Sequence, residues 1–140
     1  MSYVWVTIGS ALGGLLRYAL TRLTVPIDSG FPYGTILVNI LGSFAIGYFG
    51  TLTLHGGRYS ASPNLRLFVM VGICGGFTTF SSFSLESLEL LRAGHPGRAA
   101  ANILVSVALC LASVAAGHRL AQHATHQAAI VQTSEEEFTG

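Results

Sequence analysis

Apolar positions are concentrated in four long runs that contain almost no charged residues. These runs cover residues 4–23, 34–54, 67–85 and 99–117. Each is close to the roughly 20 residues that a helix needs to cross a hydrocarbon core about 30 Å thick. The connecting segments hold helix breakers, with Pro26 and Pro32 in the first, Pro63 in the second, and Gly94 and Pro96 in the third. The pattern predicts an all-α membrane protein with four transmembrane helices, forming one membrane domain over residues 1–120.

The segment after the fourth run has a different composition. Residues 121–140 are largely polar and include three consecutive acidic residues, Glu135 to Glu137. A segment with so few apolar residues buries too little surface to offset its ordering entropy. We therefore expect residues 121–140 to form a polar, disordered tail.

The composition supports the membrane assignment and narrows the function classes. Hydrophobic residues make up 51% of the chain and charged residues only 9%, whereas soluble domains carry roughly 25% charged residues. The formal net charge of +1 provides no basic surface for phosphates, so we expect no nucleic-acid partner. Cys74 and Cys110 both lie inside apolar runs, which favours small buried hydrophobes over a disulfide or metal ligands.

The arginines near the span ends favour neither orientation in the membrane. With four spans, one side holds Arg58, Arg66 and Arg119, and the other holds Arg17, Arg22, Arg92 and Arg98. Orientation normally follows an excess of Lys and Arg in short cytoplasmic loops, and three against four is no excess. Either the chain inserts both ways and pairs antiparallel about a two-fold axis in the membrane plane, or its context sets one orientation.

Small residues recur at a spacing of four in the first and third runs, as Gly9 with Gly13 and Gly72 with Gly76. This spacing places them on one helix face, where a neighbouring backbone can approach closely. The motif is common in membrane proteins with several spans, so it indicates helix packing and nothing more specific.

The middle of the third run is poor helix material. Gly75 and Gly76 are followed by a stretch of hydroxyl-bearing and aromatic residues up to Leu85. A break there would free carbonyl oxygens at mid-membrane depth, where they must face protein or coordinate a cation. In an antiparallel pair the break would gather carbonyls from both chains, and Na⁺ would suit that cluster. The alternative is a continuous helix whose glycines serve packing.

Uncharged polar residues inside the spans are the candidate functional groups, because polarity is expensive in a membrane. Asn39 in the second run forms an interhelical bond or serves a ligand. In the fourth run one helix face carries a polar line of Asn102, Ser106, Cys110 and Ser113. This line either borders a pathway or joins helices.

Phe80 and Phe83 share a helix face with Phe77 in the third run. The simplest interpretation is core or lipid contact. The functional alternative uses the positive edge of each aromatic ring, which can face an anion without offering a full charge. Hydroxyl groups of neighbouring residues, including Thr79, lie alongside as hydrogen-bond donors.

No Asp, Glu, Lys or His occurs in the central part of any run. This excludes a proton relay and a catalytic base, so we expect no enzyme activity. One function that fits four spans and dual topology is that of a small multidrug-type, proton-coupled exporter, which is the alternative to the function indicated below. Such exporters depend on a Glu in their first span, and residues 4–23 contain no acidic residue.

Three stretches together resemble the Fluc (CrcB) family of small fluoride-specific ion channels. Residues 13–18 read GGLLRY, residues 33–44 read YGTILVNILGSF, and residues 72–86 read GICGGFTTFSSFSLE. The third stretch is by far the most specific. With the fourth span, the likeness covers about residues 4–118 and leaves the tail outside.

The resemblance implies an antiparallel, dual-topology homodimer in the lipid bilayer, with a break in the third span and two pores lined by both chains. It further implies that the backbone carbonyls of Gly75 and Thr78 hold a structural, non-transported Na⁺ at the dimer centre. The fluoride pathway would be lined by Asn39, Phe80, Phe83, Thr79 and Ser106.

The implied function is passive export of fluoride through the bacterial inner membrane, in which the chain is a multi-pass protein. Fluoride export lowers the cytoplasmic concentration of the ion. The sequence departs from the family pattern at Asn102, where a tyrosine is frequent, and at Cys110, where a serine is frequent. These departures leave the details of the polar line in the fourth span open.

Overall fold

The computed structural model describes the backbone of residues 2–27, 30–53 and 61–139, and their side chains except those of residues 27 and 127–139. Residue 54, the predicted end of the second span, lies outside the described residues, as do residues 28–29 and 55–60 of the connectors and residue 140 of the tail. Every regular element in the described part of the chain is helical.

The first two spans are simple helices. α1 covers Ser2–Thr24 and is followed by a 3₁₀ turn at Val25–Ile27, and α2 covers Tyr33–Thr53. Their bounds agree closely with the predicted runs. Large apolar side chains such as Leu16 and Leu41 are exposed on their outer faces, as a helix in contact with lipid requires.

The third span is divided into two helices. The first, α3, covers residues 63–77 and consists of an α-helical turn at Pro63–Arg66, a π-helical stretch at Leu67–Cys74 and a short α-helical end at Gly75–Phe77. The second, α4, covers Phe80–Arg92. A π-helix is rare and is frequently found at functional sites.

The fourth span, α5, covers Pro96–Thr139 and is longer than predicted. Its apolar part agrees with the run at 99–117, but its backbone continues as a helix through the segment for which composition predicted disorder. From residue 118 to residue 139 the sequence has no Pro or Gly and several Ala residues, so nothing in the backbone stops the helix.

Among the residues that the structure describes, four stretches are long and apolar enough to cross a membrane: Ser2–Thr24, Tyr33–Thr53, Pro63–Arg92 and Pro96–His126. The predicted four-span, all-helical architecture is therefore confirmed. The connection between α4 and α5 is tight, because Gly94 has a positive φ of 78° and the His95 N–H donates to the Leu90 carbonyl at 2.9 Å.

α1 packs against α3 through the predicted glycine motifs. A Cβ atom on Gly9 would lie 2.5 Å from the Phe68 carbonyl oxygen, and one on Gly76 would lie 2.6 Å from the Ser10 carbonyl oxygen. Gly13 likewise faces the backbone of Ile73. The two backbones are so close that only glycine fits at these positions.

Candidate ion pathway

The third span is interrupted at Thr78 and Thr79, both of which have extended backbone conformations. Thr78 has φ −76° and ψ 157°, and Thr79 has φ −150° and ψ 111°. Of the two alternatives that the sequence left open, the structure has the broken helix. One helical residue, Phe77, separates the break from the Gly75-Gly76 pair.

Asn39 of α2 bonds to the backbone at this break. Its Nδ2 donates to the Thr79 carbonyl at 3.1 Å, and the Thr79 N–H donates to its Oδ1 at 2.8 Å. In a continuous helix the Thr79 N–H would donate to the Gly75 carbonyl, four residues earlier. The Asn39 amide therefore replaces one helical hydrogen bond and joins α2 to the third span.

The Thr79 hydroxyl caps the beginning of α4. Its Oγ1 accepts a hydrogen bond from the Ser82 N–H at 3.2 Å and donates to the Ser82 Oγ at 3.0 Å. In a continuous helix the Ser82 N–H would donate to the Thr78 carbonyl. N-capping by a threonine hydroxyl satisfies a donor that the break leaves without a helical partner.

A cavity of about 330 Å³ lies beside the break and is lined by all seven residues that sequence analysis assigned to the fluoride path or the Na⁺ site. Those residues are Asn39, Gly75, Thr78, Thr79, Phe80, Phe83 and Ser106. Seven more residues complete its wall: Gly42, Ser43, Ile46, Met70, Cys74, Val107 and Cys110. None of these wall residues carries a charge.

Ser43 and Gly42 are wall residues that sequence analysis did not assign to the site. Ser43 lies four residues after Asn39 on α2, so helical spacing from Asn39 was the signal that could have identified it. Gly42 lies against the Thr78 side chain, and only the tertiary structure brings these two residues together.

Phe80 and Phe83 face the cavity in different environments. Their ring centroids are 5.3 Å apart with an interplanar angle of 47°. Phe83 is 8% exposed, whereas Phe80 is 77% exposed. A large apolar ring that is exposed within a membrane-spanning segment is available for contact with lipid or with another protein surface.

The polar line of the fourth span divides between two roles. Ser106 and Cys110 line the cavity, whereas Asn102 and Ser113 bond to neighbouring helices. Asn102 donates to the Ser87 Oγ of α4 at 2.9 Å, and Ser113 donates to the Ile40 carbonyl of α2 at 2.8 Å. Asn102 and Ser113 therefore join helices, whereas Ser106 and Cys110 border the cavity, and their place on an ion pathway stays a prediction.

Charged residues lie at one end of the spans, around a second cavity. This cavity of about 420 Å³ is lined by Gly30, Phe31, Pro32, Glu86, Glu89, Leu90, Ala93, His95 and Arg98. Glu86 is half-buried, and its Oε1 accepts a hydrogen bond from the Thr35 hydroxyl at 2.6 Å. The described charged groups of the third span therefore do not line the cavity at the break.

Comparison with known proteins identifies close relatives. The chain is 56% identical over 120 residues to a protein of Methylobacterium radiotolerans, covering 86% of this chain and 84% of the relative. It is 54% identical over 134 residues to a protein of Gluconobacter oxydans, covering 94% and 93% of the two chains. It is 52% identical over 122 residues to one of Methylocella silvestris, covering 86% and 93%. Each of these relatives is named fluoride-specific ion channel FluC.

A family model described as "CrcB-like protein, Camphor Resistance (CrcB)" matches residues 4–118. These are the same bounds that the three sequence stretches and the fourth span indicated. With four apolar spans, a broken third span and relatives of more than 50% identity, the resemblance is confirmed: the chain belongs to the CrcB family.

Proposed function

We propose that this multi-pass membrane protein is a fluoride-selective channel that conducts the ion passively. The observation that carries the proposal is the cavity at the break, which gathers an amide, hydroxyl groups and two aromatic rings without a charged side chain. The names of the three relatives support the same function and describe channels, not enzymes. They give no support to the proton-coupled exporter.

Uncharged donors suit the chemistry of fluoride. The ion is small and strongly hydrated, so it enters a pore only where other donors replace its water shell. The Asn39 amide, the Ser106 hydroxyl and the ring edges of Phe80 and Phe83 are such donors. The Thr79 hydroxyl joins them when it turns its one proton from the Ser82 Oγ towards the ion. Each contact is weak on its own, which lets the ion move from one to the next.

The neutrality of the wall suits conduction as well as entry. A Lys or Arg in the wall would attract the anion strongly and slow its departure, because conduction requires binding that is moderate and repeated. A carboxylate would repel it. The described wall has neither, so the ion can both enter and leave.

The functional unit in this proposal is an antiparallel homodimer. Two observations support it: the ring of Phe80 is 77% exposed beside the cavity, and the arginines near the span ends favour neither orientation. A second copy inverted about an axis through the break would cover Phe80 and complete the wall of the pathway.

We further propose that the carbonyls of Gly75 and Thr78 hold a structural Na⁺. Their chemistry fits, because the N–H groups of Thr79 and Ser82, which would bond to these carbonyls in a continuous helix, bond to Asn39 and to the Thr79 hydroxyl instead. Carbonyl oxygens are the ligands that broken membrane helices offer to Na⁺. When bound, Na⁺ supplies a fixed positive charge near the anion pathway.

The proposed location is the inner membrane of a bacterial cell. The interior of such a cell is electrically negative, so an open anion pathway lets accumulated fluoride leave without an energy source. The physiological outcome would be a lower cytoplasmic fluoride concentration.

The proposal is tested by efflux from liposomes that contain the purified protein, measured with a fluoride electrode. We expect rapid fluoride efflux and little chloride efflux from matched liposomes. Equal rates for the two ions, or no fluoride efflux from liposomes shown to contain folded protein, would contradict the proposed function.

The antiparallel arrangement has its own test. Two copies fused through one added transmembrane helix are forced into opposite orientations, whereas a direct fusion holds them parallel. We expect fluoride flux from the first fusion only, and flux confined to the parallel fusion would refute the arrangement.

A further inference from the structure

Asn102 stands at the centre of a buried hydrogen-bond chain that leads from the cavity to α4. Ser106 Oγ donates to Asn102 Oδ1 at 3.3 Å, and Asn102 Nδ2 donates to Ser87 Oγ at 2.9 Å. Ser87 Oγ in turn donates to the Phe83 carbonyl at 2.7 Å. All three bonds run in the same direction, so Asn102 and Ser87 each accept from one group and donate to the next.

The first bond of this chain is the weakest. At 3.3 Å it is longer than the 2.5–3.0 Å typical of a hydroxyl donor to oxygen, whereas the other two bonds have ordinary lengths. Ser106 lines the cavity, but Asn102 is 1% exposed and does not. A stronger acceptor in the cavity can therefore replace Asn102 Oδ1 as the hydrogen-bond acceptor of the Ser106 hydroxyl, and Asn102 itself does not need to move.

We propose that Asn102 is a positioning residue that tunes fluoride binding by competing for the Ser106 hydroxyl. With no ion in the cavity, Ser106 donates to Asn102 Oδ1. When fluoride arrives, the hydroxyl rotates and donates to the ion, and it returns to Asn102 as the ion leaves. The competition weakens fluoride binding at this position and speeds the release that conduction needs.

The second bond keeps the competing acceptor in place. Because Asn102 Nδ2 donates to Ser87, whose hydroxyl is committed to the Phe83 carbonyl, the amide is held with Oδ1 towards Ser106. A serine hydroxyl has one proton to donate, so Ser87 cannot offer a second donor to Oδ1. Asn102 therefore acts on the ion only through Ser106.

The inference rests on the proposed fluoride conduction and is tested on the same reconstituted protein. Initial efflux rates over a range of fluoride concentrations give the half-saturating concentration for four variants: Asn102→Leu, Ser87→Ala, Ser106→Ala and the Asn102→Leu/Ser106→Ala double variant. A ¹⁹F NMR titration of fluoride binding covers any variant whose flux is too low to measure.

Asn102→Leu should lower the half-saturating fluoride concentration by about 2- to 5-fold, since it removes one weak competing hydrogen bond. Ser87→Ala, which removes the bond that holds the Asn102 amide in place, should lower the half-saturating concentration by a smaller factor than Asn102→Leu. In the Ser106→Ala background, Asn102→Leu should cause no shift. If Asn102→Leu does not assemble, Asn102→Ala removes the same acceptor.

An unchanged half-saturating concentration in Asn102→Leu, or the same shift with and without Ser106, would overturn this inference alone. Absence of fluoride flux in the unaltered chain would overturn the proposed function and this inference with it.

Discussion

The two halves of the third span differ in how they meet the rest of the molecule. α3 lies against α1 with glycines at the contact. α4 begins after its N-cap residue Thr79, beside the cavity, and exposes the ring of Phe80. The comparison indicates that α3 fixes the span against α1. The ring of Phe80 at the start of α4 is exposed and, in the proposed function, faces the ion and the second copy.

The largest effect is expected from a substitution in α3, the half of the span that packs against α1. Gly72→Leu should prevent assembly, because a Cβ atom there would lie 2.8 Å from the Gly9 Cα and neither backbone can move away. We expect the free energy of unfolding to fall by about 3 kcal/mol or more. The measurement is size-exclusion chromatography, in which the variant should give no monodisperse peak. Gly97→Leu is the matched control, since nothing lies within 4 Å of a Cβ atom at that position. Normal assembly of Gly72→Leu would show that the helix contact is looser than the glycines indicate.

A charge placed at the break should have the next largest effect, and on transport instead of assembly. Asn39→Asp keeps an acceptor for the Thr79 N–H but adds a negative charge to the cavity wall. Like charges about 4 Å apart repel by about 4 kcal/mol at an effective dielectric near 20, so we expect fluoride flux to fall by at least about 100-fold. Asn64→Asp makes the same change at an exposed position of α3 and should retain flux. Unaltered flux in Asn39→Asp would show that Asn39 does not line the fluoride pathway.

A substitution of Phe80, the exposed ring of α4, should reduce fluoride flux by a smaller factor and leave packing unchanged. Phe80→Ile removes the ring edge but little buried contact, so we expect flux to fall by about 3- to 10-fold with assembly intact. Phe68→Ile removes a ring of α3 that contacts Trp5 and serves as the control. It should lower thermal stability more than flux, and the reverse pattern in these two variants would contradict the division of the span.

The smallest effect is expected from the cap of α4. Thr79→Ala removes the side-chain acceptor for the Ser82 N–H and should destabilise the protein by about 1 kcal/mol. Thr79→Ser keeps a hydroxyl at the same position and should behave as the unaltered chain. A thermal denaturation series in detergent measures both, and equal melting temperatures for the two variants would show that the cap adds nothing to stability.

Local features of the sequence sufficed for the architecture. The four spans follow from the length of the charge-free runs, and the weak point in the third span follows from the glycine pair before Thr78 and Thr79. The helical continuation of α5 beyond residue 120 was missed, because a composition-based expectation of disorder gave no weight to the absence of Pro and Gly from that segment.

Side-chain roles depended on contacts between distant parts of the chain. Nothing in the spacing of Asn102 and Ser106 reveals that Asn102 turns towards Ser87 while Ser106 faces the cavity. Likewise, the residue type of Asn39 predicted a polar contact but could not identify the Thr79 backbone as its partner.

The sequence by itself therefore determined the number of spans, the region where the third span is weakest and the neutrality of the pathway candidates, because these depend on residues adjacent along the chain. Whether the third span breaks was left to the tertiary structure. Only the tertiary structure decided which polar groups meet at the break and that the ring of Phe80, unlike that of Phe83, is exposed. Those outcomes depend on how each helix is rotated about its axis and how closely its neighbours approach, and here that approach is set by backbone contacts at the glycines of α1 and α3.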